Sequence, residues 1–361
     1  MSHTVVNNKT KVLNIGVIGA GWWATSAHIP GIIQNNKAKL VAVQNPVISK
    51  AQKIAYDFCA ELAFDDYKEL VTTANIDAVV ISSTPNMHFE QAKFALENGK
   101  HVLLEKPMTF TVAQAKELCD LATENNLVLL ISCPWHYTSH AIEAKRLIQD
   151  GALGKVKMIS ILMTNPIDKL LKGINTIPTH GLNDVYIEPD PRSYSDPLVA
   201  GGGQIYTQVS HVGAYLSFLT DAEPQEVYAK FDYDNSENDI YDTLLITMND
   251  ETLVTIASTG ATPLSIRNYE VRVYGTQAVL FLELWQGTMD LYSFEGEIKH
   301  YSPLSPEEVY PDRAPVSNFI DCCLGLAENQ SPGRFGLSAM EIIEAAILSN
   351  KCKKPIKIEK S

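Results

Sequence analysis

The sequence predicts an α/β protein in two parts, a doubly wound parallel sheet followed by a mostly antiparallel, open-faced sheet. Three observations carry this. The first is a series of continuous apolar runs between residues 12 and 133: "VLNIGVIG", "KLVAVQ", "IDAVVISS", "HVLLEK" and "LVLLIS". Strands that are apolar throughout are buried on both faces, as in a parallel sheet covered by helices. The second is the stretches between them, such as "FEQAKFALENGK" and "TVAQAKELCDLATENN", whose apolar residues recur at helical spacing. The third is a change of pattern after "SCPWHYTSHAIEAKRLIQDGALG", which itself reads as a helix with a glycine stop.

Beyond that helix the strand-like segments crowd together: "KVKMISILMT", "QEVYAKFDYD", "DTLLITMN", "TLVTIAST", "YEVRVYGT" and "AVLFLEL", some joined by hairpin-like turns such as "MNDET". The expected domains are residues 1–134 and 135–361, and 361 residues suffice for two cores. A long irregular segment rich in Pro, Asp and Gly, about 165–203, reads as a functional loop or a subunit contact. "AMEIIEAAILSNKC" reads as a closing amphipathic helix.

Apolar residues make up 45% and charged residues 20% of a chain with a formal net charge of -13. Without a basic block, nucleic acid and anionic membrane are not expected partners. The start, "MSHTVVNNKT", has no apolar signal core, and no run approaches the ~20 apolar residues that cross a bilayer, so a cytoplasmic location is expected. The six cysteines form no C-x-x-C pair and read as small buried hydrophobes, with no structural metal or disulfide expected.

Gly19-Ala20-Gly21-Trp22-Trp23-Ala24 fits G-x-G-x-x-G/A directly after a buried strand and at the opening of a helix, the context of a Rossmann dinucleotide site. Gly19 permits the tight turn, Gly21 lets the backbone approach the pyrophosphate, and Ala24 keeps the helix close to the sheet. The helix N-terminus then offers unpaired N–H groups to the phosphates. One of the two tryptophans is expected to wall the nicotinamide side of the cleft and the other to pack inward. At the end of the second strand, where a carboxylate normally bonds the ribose, the chain has Gln44 and Asn45. A neutral amide tolerates a 2′-phosphate, but no Arg follows to bind one. NAD is the expected cofactor, with NADP not excluded.

"ISSTPNMHFEQAKFALENGKHVLLEKP" (81–107) and "AGGGQIYTQVSHVGAYL" (200–216), together with the glycine turn, resemble the glucose-fructose oxidoreductase and inositol dehydrogenase (Gfo/Idh/MocA) family over nearly the whole chain. The resemblance implies that Ser83, Thr84, Pro85, Asn86 and His88 lie at the nicotinamide, and that Glu105 and Lys106 of the Glu-Lys-Pro element sit between cofactor and substrate. In the family's second motif an Asp precedes a His by one helical turn. Here His211 is present, but Thr207 stands at the Asp position. Thr207 is expected to orient the His211 ring without supplying charge, which leaves His211 near its ordinary basicity. Gln208, His136, Arg192 and Tyr194 are expected substrate contacts.

What the resemblance implies is a nicotinamide-dependent dehydrogenase acting on a secondary alcohol of a sugar, glycoside or cyclitol. Lys106 and His211 handle the hydroxyl proton, Thr207 assists, and no metal takes part. The alternatives are a glycosidase that uses tightly held NAD for transient oxidation, and a sensor that binds without chemistry. A homodimer or homotetramer through the second sheet is expected from the same resemblance.

Overall fold

The structure is a computed structural model, and it describes residues 12–174, 186–188, 190 and 192–359. Six parallel strands form the first sheet: β1 (Leu13–Ile18), β2 (Ala38–Gln44), β3 (Leu62–Phe64), β4 (Ala78–Ile81), β5 (His101–Leu104) and β6 (Leu129–Ile131), in the order β3-β2-β1-β4-β5-β6. Leu13, Ile15, Val17 and Ile18 of β1 are all buried, as a strand covered on both faces must be. Strand order reverses between β1 and β4, and the crevice beyond the strand ends at such a switch point is where open α/β sheets bind ligands. The edge strand β3 has three residues, too few to show as an apolar run.

The second sheet has nine strands: β7 (Val156–Thr164), β8 (Pro224–Asp232), β9 (Tyr241–Met248), β10 (Leu253–Thr259), β11 (Asn268–Gly275), β12 (Ala278–Glu283), β13 (Thr288–Ser293), β14 (Ile298–His300) and β15 (Ile356–Lys357). They lie in the order β14-β13-β12-β11-β7-β10-β9-β8-β15, and among the described residues β7 with β10 is the sheet's one parallel pair. Side chains alternate: Tyr269, Val271 and Val273 of β11 are fully buried, while Arg272 faces outward. The helices Val209–Leu219 and Gly333–Cys352 pack together beneath this sheet, contributing Val212, Leu216, Ile342 and Ala346 to the core.

The C-terminal part returns to the first sheet. Val316, Phe319 and Ile320 of the helix Ala314–Cys323 share a core with Leu13, Ile15 and Val80. Ile131 N–H donates to Ser331 O at 2.8 Å, beside an antiparallel bridge between Leu130 and Pro332. This helix therefore covers the parallel sheet, although it lies some 180 residues beyond the expected boundary at 134. The irregular segment carries short helices at Asp168–Leu171, Arg192–Ser195 and Pro197–Ala200, and part of it lies outside the described residues. Among the described residues no cysteine forms a disulfide. No helix among the described residues is long and apolar enough to cross a membrane.

Candidate active site

The glycine turn leaves β1 at the switch point. Gly19 has φ +72°, and a Cβ there would lie 2.4 Å from Ser83 N, so close approach of the segment after β4 requires glycine. At Gly21 a Cβ would meet only Gly19 O at 3.8 Å, which leaves open space at the helix entrance. The neutral amides at the end of β2 hold this turn. Gln44 accepts from Gly19 N–H (3.0 Å) and donates to Asp65 O (2.8 Å), while Asn45 donates to Ala20 O (3.0 Å) and accepts from Val47 N–H (3.0 Å).

The helix after the turn is not regular. Residues Ala24–His28 wind as a π-helix, closed by Ile29 N–H on Ala24 O, before the α-helix Ile29–Gln34. Pro30 has no N–H to give an uninterrupted α-helix, and a local change of winding accommodates it. Residues five apart point roughly 140° apart at the α-helical 100° per residue, whereas i→i+5 winding brings them toward one face. Trp23 and His28 therefore converge on one atom: Trp23 Nε1–H donates to Glu105 Oε1 at 3.0 Å, and His28 Nε2 lies 2.9 Å from the same oxygen. Trp23 also approaches Tyr310 at 6.3 Å, while Trp22 Nε1 is buried with no partner among the described residues. Both tryptophans are half-buried, so neither packs fully inward.

Glu105 and Lys106 follow β5 at the same sheet edge. Burial drives the Glu105 carboxyl upward, but the His28 contact and the Lys106 charge outweigh it and hold the group below its ordinary range. Lys106 Nζ–H donates to Thr207 O at 3.3 Å. Burial lowers the Lys106 pKa, with Glu105 opposing that fall.

The segment Ser83–His88 flanks this edge. Ser83 Oγ–H donates to Gln91 Oε1 (2.6 Å) and Thr84 Oγ1–H to Asn86 Oδ1 (2.7 Å), while Pro85 opens the helix Pro85–Glu97. His88 departs from its expected place at the cofactor. It is 1% exposed, with Nδ1 2.8 Å from Pro107 O and Nε2 3.1 Å from Ser83 O, so it ties together the two loops that carry Ser83 and Lys106.

The triple glycine builds the opposite wall. Asp239, which the sequence analysis missed, accepts from Gly203 N–H (3.0 Å) and Ile205 N–H (2.6 Å), capping the helix Gln204–Thr207. A Cβ on Gly203 would lie 2.2 Å from Asp239 O. The helix breaks at Gln208 (φ -120°, half-buried) before Val209–Leu219 begins. Because of the break, Thr207 does not orient His211. Its hydroxyl donates to Gly203 O at 2.9 Å, and only its carbonyl faces Lys106.

His211 is 5% exposed and edge-on to Trp135 at 5.1 Å, with Nδ1 unpartnered among the described residues. Burial first, then the Lys106 charge, push its pKa well below the ordinary histidine value. The expectation of ordinary basicity is thus overturned by desolvation next to a cation.

Two further expected contacts lie elsewhere. His136 is 1% exposed, stacked on Phe218 (4.7 Å, 13°) and driven by burial to about 3, so it is a core residue closed to substrate. Arg192 is on the surface, paired with Asp190 at 2.8 Å. Tyr194 stays near the site: burial and the Glu105 charge raise its hydroxyl to about 12. The missed residues His28, Asp239 and Tyr310 carry no sequence motif, being gathered by the π turn and by loops distant in the chain.

Open space at Gly21 and the unpartnered Trp22 Nε1 at a helix entrance fit a dinucleotide, and Trp22 together with the backbone beside Gly21 would hold its phosphates. Among the described residues no group of three or more His, Cys, Asp or Glu could hold a metal ion.

Fold and site together define an α/β protein with a parallel, Rossmann-like sheet and a second, mostly antiparallel sheet. Residues 13–132 match the model of the oxidoreductase family with an NAD-binding Rossmann fold, and residues 141–281 match the GFO/IDH/MocA C-terminal domain. The chain belongs to the GFO/IDH/MocA family. An uncharacterized oxidoreductase, sll0816, from Synechocystis sp. is 29% identical over 211 residues, 58% of this chain and 52% of that protein. A D-glucoside 3-dehydrogenase from Escherichia coli K12 is 31% identical over 144 residues, 40% of this chain and 41% of that protein. The chain thus spans about half or less of the length of these relatives. The crystal structure of GenD2 from gentamicin A biosynthesis in complex with NAD superposes with a TM-score of 0.79 at 18% identity, covering 97% of both chains.

Proposed function

We propose that this protein is an NAD(P)-dependent oxidoreductase that interconverts a secondary alcohol and a ketone on a sugar, glycoside or cyclitol. The observation that supports this best is Lys106: a lysine of lowered pKa, hydrogen-bonded to Thr207 O and flanked by Glu105, at the switch-point edge of the parallel sheet. A nicotinamide dinucleotide held at the glycine turn supplies the hydride acceptor or donor.

Lys106 and His211 divide the proton work unequally. An acid or base works best with a pKa near the working pH. Burial moves Lys106 down toward that range and His211 away from it. Lys106 therefore exchanges the hydroxyl proton, and in its charged form it stabilises developing alkoxide. His211 stays neutral beside it and hydrogen-bonds the same hydroxyl. Glu105, fixed by Trp23 and His28, keeps Lys106 from losing its proton too readily.

The named activity of the D-glucoside 3-dehydrogenase relative supports a pyranoside-type substrate. The test is to mix purified protein with NAD or NADP and a panel of sugars, glycosides and cyclitols, following nicotinamide absorbance and product. Net reduction of the cofactor is expected; free sugar released from glycosides with no net absorbance change, or binding without turnover, would contradict the reading. The outer face of the nine-stranded sheet exposes Tyr228, Tyr241, Leu245 and Leu253, and covering it between two copies supports a homodimer or homotetramer.

A further inference from the structure

An aromatic cluster packs against His211. Trp135 lies edge-on to His211 (5.1 Å), Trp285 (5.1 Å) and Tyr310 (4.8 Å), and Trp285 stacks on Tyr310 at 5.4 Å and 20°. Over the Trp285 ring, 5.1 Å from its centroid, lies the guanidinium of Arg267. Arg267 sits two residues before Tyr269, whose side chain is on the inner face of β11.

Arg267 is half-buried, its Nε is buried without a partner, and among the described residues it forms no ion pair. The acidic groups of the adjoining segments are engaged elsewhere. Glu283 accepts from Tyr269 N–H and Gln286 N–H, and Asp312 lies 4.0 Å from Arg313. Burial lowers the Arg267 pKa, with only Tyr310 opposing.

An arginine remains charged in a protein, and a partly desolvated guanidinium without a counter-ion is costly. In a chain with 42 acidic residues, a cation left unpaired among the described residues, on an aromatic cluster that reaches His211, points to a counter-ion carried by the ligand. With its central carbon 5.1 Å from the Trp285 centroid and its Nε unpartnered, the guanidinium has N–H donors to offer a planar anion, and its fork suits a carboxylate.

Resting on the oxidoreductase reading above, we propose that Arg267 recognises the carboxylate of the substrate, which is therefore a sugar acid: a uronic acid, a uronoside or an aldonic acid. Arg267 fixes the acid end while Lys106 and His211 meet the carbinol.

The experiment uses the NAD-loaded protein and matched probes that differ in one group: D-glucuronate with D-glucose, D-galacturonate with D-galactose, and D-gluconate with D-glucitol. Turnover is followed by nicotinamide absorbance, and binding by titration calorimetry on the NADH-loaded protein. The acid of at least one pair is expected to bind about tenfold or more tightly than its neutral partner. Arg267→Gln should abolish that preference, Arg267→Lys should restore part of it, and both should leave the neutral partner within about twofold. Equal binding in every pair, no binding of any acid, or an acid preference that survives in Arg267→Gln overturns the proposal. The oxidoreductase reading stands or falls on turnover across the wider panel of sugars, glycosides and cyclitols, while the calorimetry decides the role of Arg267 whether or not any pair is turned over.

Discussion

Gly19 and Gly21 stand two residues apart in the same turn, yet alanine at each should fail in a different way. At Gly19 the backbone is left-handed, which costs an L-residue about 1–2 kcal/mol, and the new Cβ would lie 2.4 Å from Ser83 N. Ser83 cannot easily retreat, because Ser82 N–H is bonded to Ile18 O (2.9 Å) and Ser83 O to His88 (3.1 Å). Overpacking of this kind costs about 1–3 kcal/mol. The total, about 2–5 kcal/mol, at roughly 2–4 °C per kcal/mol, lowers Tm by on the order of 10 °C. At Gly21 the Cβ meets one atom, at 3.8 Å, and φ is not left-handed. Gly21→Ala should therefore melt within about 2 °C of the parent, since substitutions away from such features stay within about 0.5 kcal/mol. Its cost falls on the ligand, because the methyl group occupies the space through which backbone approaches the pyrophosphate. Scanning calorimetry and NADH fluorescence titration on both variants separate the two effects. Gly21→Ala should keep its Tm and bind NADH about tenfold or more weakly. Unaltered NADH affinity in Gly21→Ala, or a loss of Tm as large as that of Gly19→Ala, would refute the reasoning.

Other perturbations follow from the same geometry. His136→Phe removes two buried, unpartnered ring nitrogens from an aromatic stack; calorimetry should show an equal or higher Tm, with turnover within about twofold. Thr207→Val removes a hydroxyl bonded only to Gly203 O and keeps the carbonyl on Lys106, so kcat should fall by less than about fivefold. A hundredfold loss there would show that the hydroxyl touches substrate. Alcohol oxidation needs Lys106 deprotonated, so kcat/KM should rise with pH to a plateau whose midpoint lies below the ordinary lysine value. Glu105→Gln removes the charge that raises the Lys106 pKa, and stopped-flow pH profiles should place the limb at lower pH.

Much of the fold was legible because burial leaves a periodic trace. Continuous apolar runs marked five of the six parallel strands, and the hairpin spacing marked the strands β7 to β12 of the second sheet. The three-residue β3 and the two-residue β15 are too short to leave one. Nor does local pattern reveal that the helix Ala314–Cys323 crosses back to cover the first sheet, since an apolar helix face does not name its partner. In the site, the motifs show which segments follow the strands but not what each side chain touches there. Gly19 follows β1 and Lys106 follows β5, at the same edge of the parallel sheet. His88 and His136, equally polar in the sequence, turn into the interior, one bonded to carbonyl oxygens and the other stacked among rings. The basicity of His211 departs from the expected one for a reason no motif contains: burial next to a cation. His28 reaches Glu105 only because the helix winds as π over Ala24–His28, a feature of three-dimensional accommodation around Pro30.

A Lys106 that carries the proton step and a glycine turn that holds the dinucleotide should separate in a single variant. Steady-state turnover and NADH fluorescence titration on Lys106→Ala test both together, once a substrate has been found. The expected result is a loss of kcat of about 10² or more with NADH affinity essentially retained. Undiminished turnover in that variant would contradict it.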